Sequence, residues 1–332
     1  MATVTYNRPQ PQQRLDSEHT IIKAEKFTQL GVAALRSLAW LPQFFTMFPG
    51  DRFKGALNDT LSFPTGRYTI AGEYEWRTRL NPVQLQRIGQ TTATVKLDKH
   101  LVQAVPVTNE QATMDIRAFG AEIVVPQVEA MRVEIHHQVM KGLRAAPLKV
   151  TNINATTADN PFDVAVAAHL ALQRSGVPNE GRFWIVGANA EEWLLRSEVL
   201  MDPARGGNAL AQNNTIGRIR GFDVISGSTL IGENEMYFGH RSGLLVANIA
   251  PEAPFDVPNS SRVAVDGFSL MGTLGYSDSY QATVSTFSTF MGVNSVNDEL
   301  QLNEEGLPVF NDDGDPIMTG KNVRIASGQF TS

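Results

Sequence analysis

Two adjacent histidines, His136 and His137, are the first residues in this chain to invite a chemical reading, because neutral imidazole is a common metal ligand. They lie in a segment of helical periodicity. Neighbouring helical side chains point about 100° apart, so the pair cannot close on one ion as histidines at i and i+4 do. The expected place of both is a helix surface. His100, His169 and His240 are each isolated, with no second ligand at metal-binding spacing. The turn Asn311-Asp312-Asp313-Gly314-Asp315 has the composition of a calcium loop but lacks its downstream glutamate, and reads as a solvated hairpin turn.

Nucleophile and phosphate motifs fare no better. Ser242, in the run GHRSGL, lacks the glycine spacing of a nucleophile elbow. Gly217 to Gly221, GRIRG, falls between two expected strands rather than before a helix, so it is no nucleotide turn. The chain has no cysteine, which removes disulfides, thiolate metal sites and cysteine nucleophiles and fits a reducing cytoplasm. The expectation is therefore of no catalytic, cofactor-binding or metal site, and of a protein that is not an enzyme.

Bulk composition narrows the class. The 332 residues suffice for about two domains, with 42% hydrophobic and 19% charged residues. A net charge of −6 with no lysine and arginine run argues against tight, sequence-independent wrapping of nucleic acid. The first 20 residues are polar, rich in Gln, Pro and Arg, and lack the apolar core of a secretory signal; they read as an extended arm.

The elements that would position any function follow from periodicity. Helical spacing runs from Ser17 to Leu41, and Pro42 closes it. An apolar, aromatic stretch from Gln43 to Leu57 needs something to pack against. Arg67 to Arg77 alternates with period 2, and Thr91 to Leu97 is β-branched; together they predict a long hairpin around Asn81-Pro82. Its edges would invite pairing with another chain. Met114 to Ala146 then carries apolar residues three and four apart, including Ile116, Val128, Met131, Ile135, Val139 and Leu143. Charges at Arg117, Glu122, Glu129, Arg132 and Glu134 exclude a membrane span, and Gly120 and Pro126 spoil a heptad. What is left is a strut packed on one face, bent at Pro126 and straight from about Gln127 to Leu143. Beyond it come a helix at Phe162–Gln173, a buried strand at Arg182–Gly187, a short helix at Ala190–Arg196 and a loop at Met201–Asn214. Ile216–Ile225 reads as strand, turn, strand; Met236–Phe238 and Leu244–Ala247 as strands; Arg262–Val293 as β-rich. A small hairpin, Leu307–Phe310 with Pro316–Met318, closes the reading.

The order of these parts, with the run TTATVKLDKHLVQAVPVTNEQATMDIRAFGAEIVVPQVEAMRVEIHHQVMKGL, resembles the tailed-bacteriophage major capsid proteins of the HK97 fold, most closely the P22-coat-like branch. LQRSGVPNEGRFWIVGANAEEWLLRSEVL, IGRIRGFDVISGSTL and SYQATVSTFSTFMGVNSVND resemble the same family's helix–loop–strand–helix, its glycine-containing strand pair and its closing strands. The resemblance covers roughly residues 55–300.

It implies an α+β, HK97-like capsid fold: an N-arm over 1–55, an extended hairpin (E-loop) over 56–105, and a P domain over 106–149 and 250–297 with a long spine helix at 114–146. An A domain over 150–249 and a C-terminal tail over 298–332 complete it. The implied function is a coat subunit that self-assembles into hexamers and pentamers of an icosahedral shell enclosing double-stranded DNA without sequence-specific binding. The implied partners are other copies, a scaffolding protein, the portal and a decoration protein, with no membrane. The implied location is the virion, after synthesis in the bacterial host cytoplasm. An encapsulin-like compartment is the alternative on the same fold. The family's covalent crosslink needs a lysine on the E-loop; Arg79 to Gln90 holds arginine and no lysine, so no autocatalytic crosslink is expected.

Overall fold

In the computed structural model the described residues are 24–48, 59–69, 71, 74, 76–77, 82–83, 85, 88–108, 120–150, 153–197, 217–227, 231–254, 259–311 and 315–331. In chain order they form α1 (Ala24–Leu38), β1 (Thr46–Phe48), β2 (Thr60–Tyr68), β3 (Gly89–Lys96), β4 (Lys99–Thr108) and α2 (Val125–Ala145). Then follow β5 (Leu148–Val150), β6 (Ala155–Thr156), α3 (Pro161–Arg174), β7 (Arg182–Val186), α4 (Ala188–Arg196), β8 (Arg218–Ile219), β9 (Phe222–Ser226) and β10 (Glu235–His240). The last elements are β11 (Leu244–Ile249), β12 (Ser260–Val265), β13 (Phe268–Ser277), β14 (Ala282–Ser295) and β15 (Asn322–Thr331). The class is mixed α+β.

The strut is α2. A π-helical turn, Gly120–Val124, leads into it, and Pro126 sits in its first turn, where the missing N–H costs nothing. The expected straight part therefore lies within the helix; residues 114–119 fall outside the described set. One face of α2 is buried through Val128, Met131, Ile135, Val139 and Leu143. It packs on a six-stranded sheet of order β1-β11-β14-β13-β12, with β4 on the other edge of β14. The buried Gln127 amide donates to the Ser285 carbonyl (2.9 Å) and accepts from the Ser285 hydroxyl (2.8 Å), so a polar pair is satisfied inside this apolar seam. Helix α1 lies across β12, β13 and α2, and Phe27 stacks on Phe287 with centroids 4.4 Å apart.

A second sheet, of order β5-β15-β10-β7-β9-β8 with β6 beside β15, is covered on both faces. Alternation on β7 explains how. Phe183 and Ile185 join the core shared with α2, while Trp184 and Val186 join a separate core with α3 and α4. Asn160 caps α3 by accepting from the Phe162 N–H (3.0 Å). Between β8 and β9, Arg220 (φ 47°) and Gly221 (φ 90°) supply the two left-handed residues of a tight hairpin turn.

Two expectations change here. Among the described residues the alternating stretch Arg67–Arg77 is strand only at its start: β2 ends at Tyr68, where pairing with Gly89 ends, and Trp76–Arg77 lie in a turn. Alternation without a partner strand leaves the backbone groups to solvent. Within 298–332, where no strand was expected beyond the small hairpin, β15 is an internal strand hydrogen-bonded to β10 on one side and β5 and β6 on the other. Its neighbours come from far away in sequence, so local pattern gave no sign of it. The expected loop at 201–214 and most of the N-arm lie outside the described residues.

Candidate functional site: an anchored hairpin and its apolar segment

The hairpin β2–β3 pairs only with itself among the described strands. A two-stranded ribbon is marginal alone in water, and the chain compensates at the root. Val95 and Ala93 are buried with Phe48, Leu245, Ala247 and Val296, and Phe63 stacks on Phe48 at 3.8 Å. The Asn294 amide donates to the Thr94 carbonyl (2.5 Å). Gly292 permits the closest approach: a Cβ there would lie 2.2 Å from the Lys96 carbonyl oxygen. Only Leu97 and Asp98 separate β3 from β4, so the ribbon leaves the six-stranded sheet with little slack.

Beyond the root the pattern inverts. In the segment between β2 and β3, Trp76 is 66% exposed, Val83 63%, Leu85 95% and Ile88 69%. The Arg77 guanidinium lies over the Trp76 ring, 5.2 Å from its centroid. Scattered apolar side chains on a surface need no explanation, but several on one short segment mark a contact surface.

Of the histidines and the serine singled out for chemistry, His240 and Ser242 are brought together, at 2.7 Å. His137 is on the surface of α2 as expected, but His136 is not: it is fully buried. Its Nε2 accepts from the Leu41 N–H (3.4 Å), and its ring lies 5.4 Å from that of Trp40. The helical pattern assigned its face by apolar neighbours alone and could not register that Trp40–Phe44 would fold over it. Burial, then the nearby Arg132 charge, push its pKa from 6.5 down to about 4, against a smaller opposing pull from Glu129. It is a neutral core histidine. His100 is exposed on β4, its ring 4.5 Å from Phe290.

His169 and His240 each serve an arginine-centred arrangement that sequence reasoning missed. Arg182, 1% exposed, donates to the carbonyls of Pro178 (2.8 Å) and Val177 (2.6 Å) and to His169 Nδ1 (3.0 Å). It thereby ties the loop after α3 to His169 on that helix, and burial lowers its pKa. Only the odd placement of a basic residue at the head of the apolar run RFWIV could have signalled it.

His240 Nδ1 accepts from the Ser242 hydroxyl (2.7 Å), while burial holds its pKa below the usual value and a backbone hydrogen bond to Glu180 opposes the shift. Ser242 in turn accepts from Arg324 (2.5 Å), whose guanidinium pairs with the buried Asp298. The carboxylate orients the arginine rather than the histidine, so this chain of contacts is a latch between β15 and the turn before β11, not a serine–histidine–acid relay. The Asn311 side chain accepts from the Asp315 N–H (2.7 Å), closing the acidic turn from within. No group of three or more His, Asp or Glu suited to a metal exists among the described residues.

A root-anchored ribbon with an apolar outer segment, on a two-sheet α+β body, is an architecture for contact between chains. Residues 90–284, from β3 into β14, match the family described as phage capsid protein. The chain therefore belongs to the phage capsid protein family, and its function is that of a capsid shell subunit. No curated protein matches it. Among solved structures it is similar to one from Gordonia phage Cozz (9% identity, TM-score 0.54, covering 89% of this chain and 87% of that one). It is also similar to the capsid of the cyanophage P-SCSP1u (10%, 0.53, 87% and 86%) and to a structure from Mycobacterium phage Che8 (13%, 0.52, 85% and 88%). At such identities the likeness is one of fold.

Proposed function

We propose that this chain is the major coat subunit of a tailed phage of the P22-coat-like branch, and that it self-assembles into an icosahedral shell by laying the β2–β3 hairpin, as an E-loop, on a neighbouring subunit. The observation that carries the hairpin's role is the contrast between its buried root and the exposed Trp76, Val83, Leu85 and Ile88. Docking on a neighbour would bury that apolar surface at roughly 25 cal/mol per Å², before the cost of ordering. In the same reading α2 is the spine helix. The six-stranded sheet with α1 and α2 is the P domain, and the seven-stranded sheet with α3 and α4 is the A domain. Sheet membership supports ending the A domain at His240 rather than 249, returning Leu244–Ile249 to the P domain, and adding β15 to the A domain. Scaffolding protein, portal and a decoration protein are the further partners of this reading, and its DNA is enclosed without sequence-specific contact. Catalysis has no part in it.

The test is to remove residues 65–95 from the full chain and image the purified product by electron microscopy. The expected outcome is closed shells from the parent chain and soluble, unassembled protein from the deletion. Normal closed shells from the deleted chain would refute the hairpin's role.

A further inference from the structure

The sequence divides its charge unevenly. Between Trp76 and Ile88 it holds three arginines and no acidic residue, while Asp298 to Gly320 holds seven acidic residues and no lysine, arginine or histidine. Two of the seven are neutralised within the subunit: Asp298 pairs with Arg324, and Glu299 with Lys149 at 2.6 Å. Glu304, Glu305 and Asp315 are exposed and have no ion pair among the described residues.

The acidic stretch is a built surface. Residues 299–311 and 315–319 form a narrow antiparallel ladder, with Leu302 opposite Pro308, Phe310 opposite Pro316 and Leu300 opposite Met318. The Asn303 side chain accepts from the N–H groups of Glu305 (3.0 Å) and Leu307 (2.8 Å), fixing the first turn as Asn311 fixes the second. Leu302 (54% exposed) and Leu307 (45%) stand on it beside the carboxylates. An apolar surface ringed by negative charge thus faces solvent, and an apolar surface with positive charge, Arg77 over Trp76, faces solvent elsewhere on the same chain. Complementary potentials steer encounter and fix register between partners.

We propose that the exposed Trp76, Arg77, Val83, Leu85 and Ile88 of one subunit dock on the acidic ladder of a second copy, around Leu302, Glu304, Glu305, Leu307 and Asp315. The proposal rests on the shell-subunit reading and specifies which part of the neighbour receives the hairpin. The ladder's turns are held by backbone and asparagine contacts, so reversing the exposed carboxylates leaves those bonds in place.

The experiment is a charge-reversal exchange in the full-length chain, read by sedimentation and electron microscopy. The ladder reversal Glu304→Lys, Glu305→Lys, Asp315→Lys loses shells. The hairpin reversal Arg77→Glu, Arg79→Glu loses them too. The chain carrying all five substitutions regains them. Either reversal assembling like the parent overturns the proposal, and so does an all-five chain that stays unassembled while its circular dichroism and melting match the parent. Should a reversal fail to fold, the neutral set Glu304→Gln, Glu305→Gln, Asp315→Asn decides. It is expected to weaken assembly and flatten its dependence on salt; a folded neutral chain that assembles as the parent does across salt overturns the idea. A parent chain that forms no shells, or a 65–95 deletion that does, instead sinks the reading beneath it.

Discussion

On β7, Phe183, Trp184, Ile185 and Val186 are each at most 1% exposed; between β2 and β3, Trp76, Val83, Leu85 and Ile88 are each at least 63% exposed. Both stretches are rich in large apolar residues. The first is central in a sheet with a core on each face, so every side chain finds a partner within the subunit. The second hangs from a ribbon that, among the described residues, is packed at its root. Aggregation-prone display of this kind is tolerated where a partner covers it. Apolar content therefore fails to distinguish the stretch that builds the subunit from the one that joins subunits; exposure does.

The largest expected effect separates the two roles outright. Trp76→Ser with Leu85→Ser should abolish shells in electron micrographs while shifting the subunit's own stability by no more than about 0.5 kcal/mol, as for surface substitutions. Thermal denaturation of the unassembled protein checks the second half. A melting temperature that falls sharply would mean that these residues serve the subunit's own fold.

The converse substitution is Trp184→Ala. Trp184 stacks on Phe238 at 4.8 Å in the core beneath α3 and α4. Its truncation should cost roughly 4 kcal/mol of stability in denaturant titration, the range for large aromatic side chains in a core. Trp184→Phe should cost far less, since it keeps the stack and removes an indole N–H that finds no acceptor among the described residues.

The contrast also marks what could be read from sequence. Helix α3, β7, α4 and β9 were legible because their signals are local: an Asn-Pro start, a strand apolar after its first residue, a glycine-bearing turn. The place of β15 was not, because its pairing with β10 joins residues some ninety apart. Neither was the end of β2, since alternation predicts a strand but cannot supply its partner. At the site the hairpin could be predicted, while the buried Arg182 cage and the Asp298–Arg324–Ser242 latch depend on carbonyls and side chains brought together only by the fold.

His136 gives the next effect in size, and it belongs to the buried half of the comparison. Its folded pKa of about 4 lies below its unfolded value of 6.5, so the unfolded chain takes up the proton more readily. Its contribution is therefore fully present above pH 6.5 and is lost as pH falls toward 4, about 3 kcal/mol in all. His240, also lowered, adds in the same direction, so the difference between the parent and His136→Gln isolates the effect. Chemical denaturation at pH 7 and pH 4.5 should show a smaller acid loss in the variant; equal losses would remove His136 as the cause.

The smallest effect tests how firmly the root holds the ribbon. At the irregularity between Pro64 and Gly66, the Thr65 and Thr91 hydroxyls meet at 2.9 Å, and Thr91 also faces the Gly66 carbonyl at 3.4 Å. Thr91 is only 4% exposed, so Thr91→Val keeps the shape and the buried methyl while leaving the Thr65 hydroxyl to find water. The net loss should be about 1 kcal/mol and confined to the ribbon. Hydrogen exchange reads this directly: amides of β2 and β3 should exchange several-fold faster in the variant, with those of β7 and β10 unchanged. Faster exchange in β7 as well would mean that the ribbon and the seven-stranded sheet open as one unit, and that the division between a packed body and a displayed arm is drawn in the wrong place.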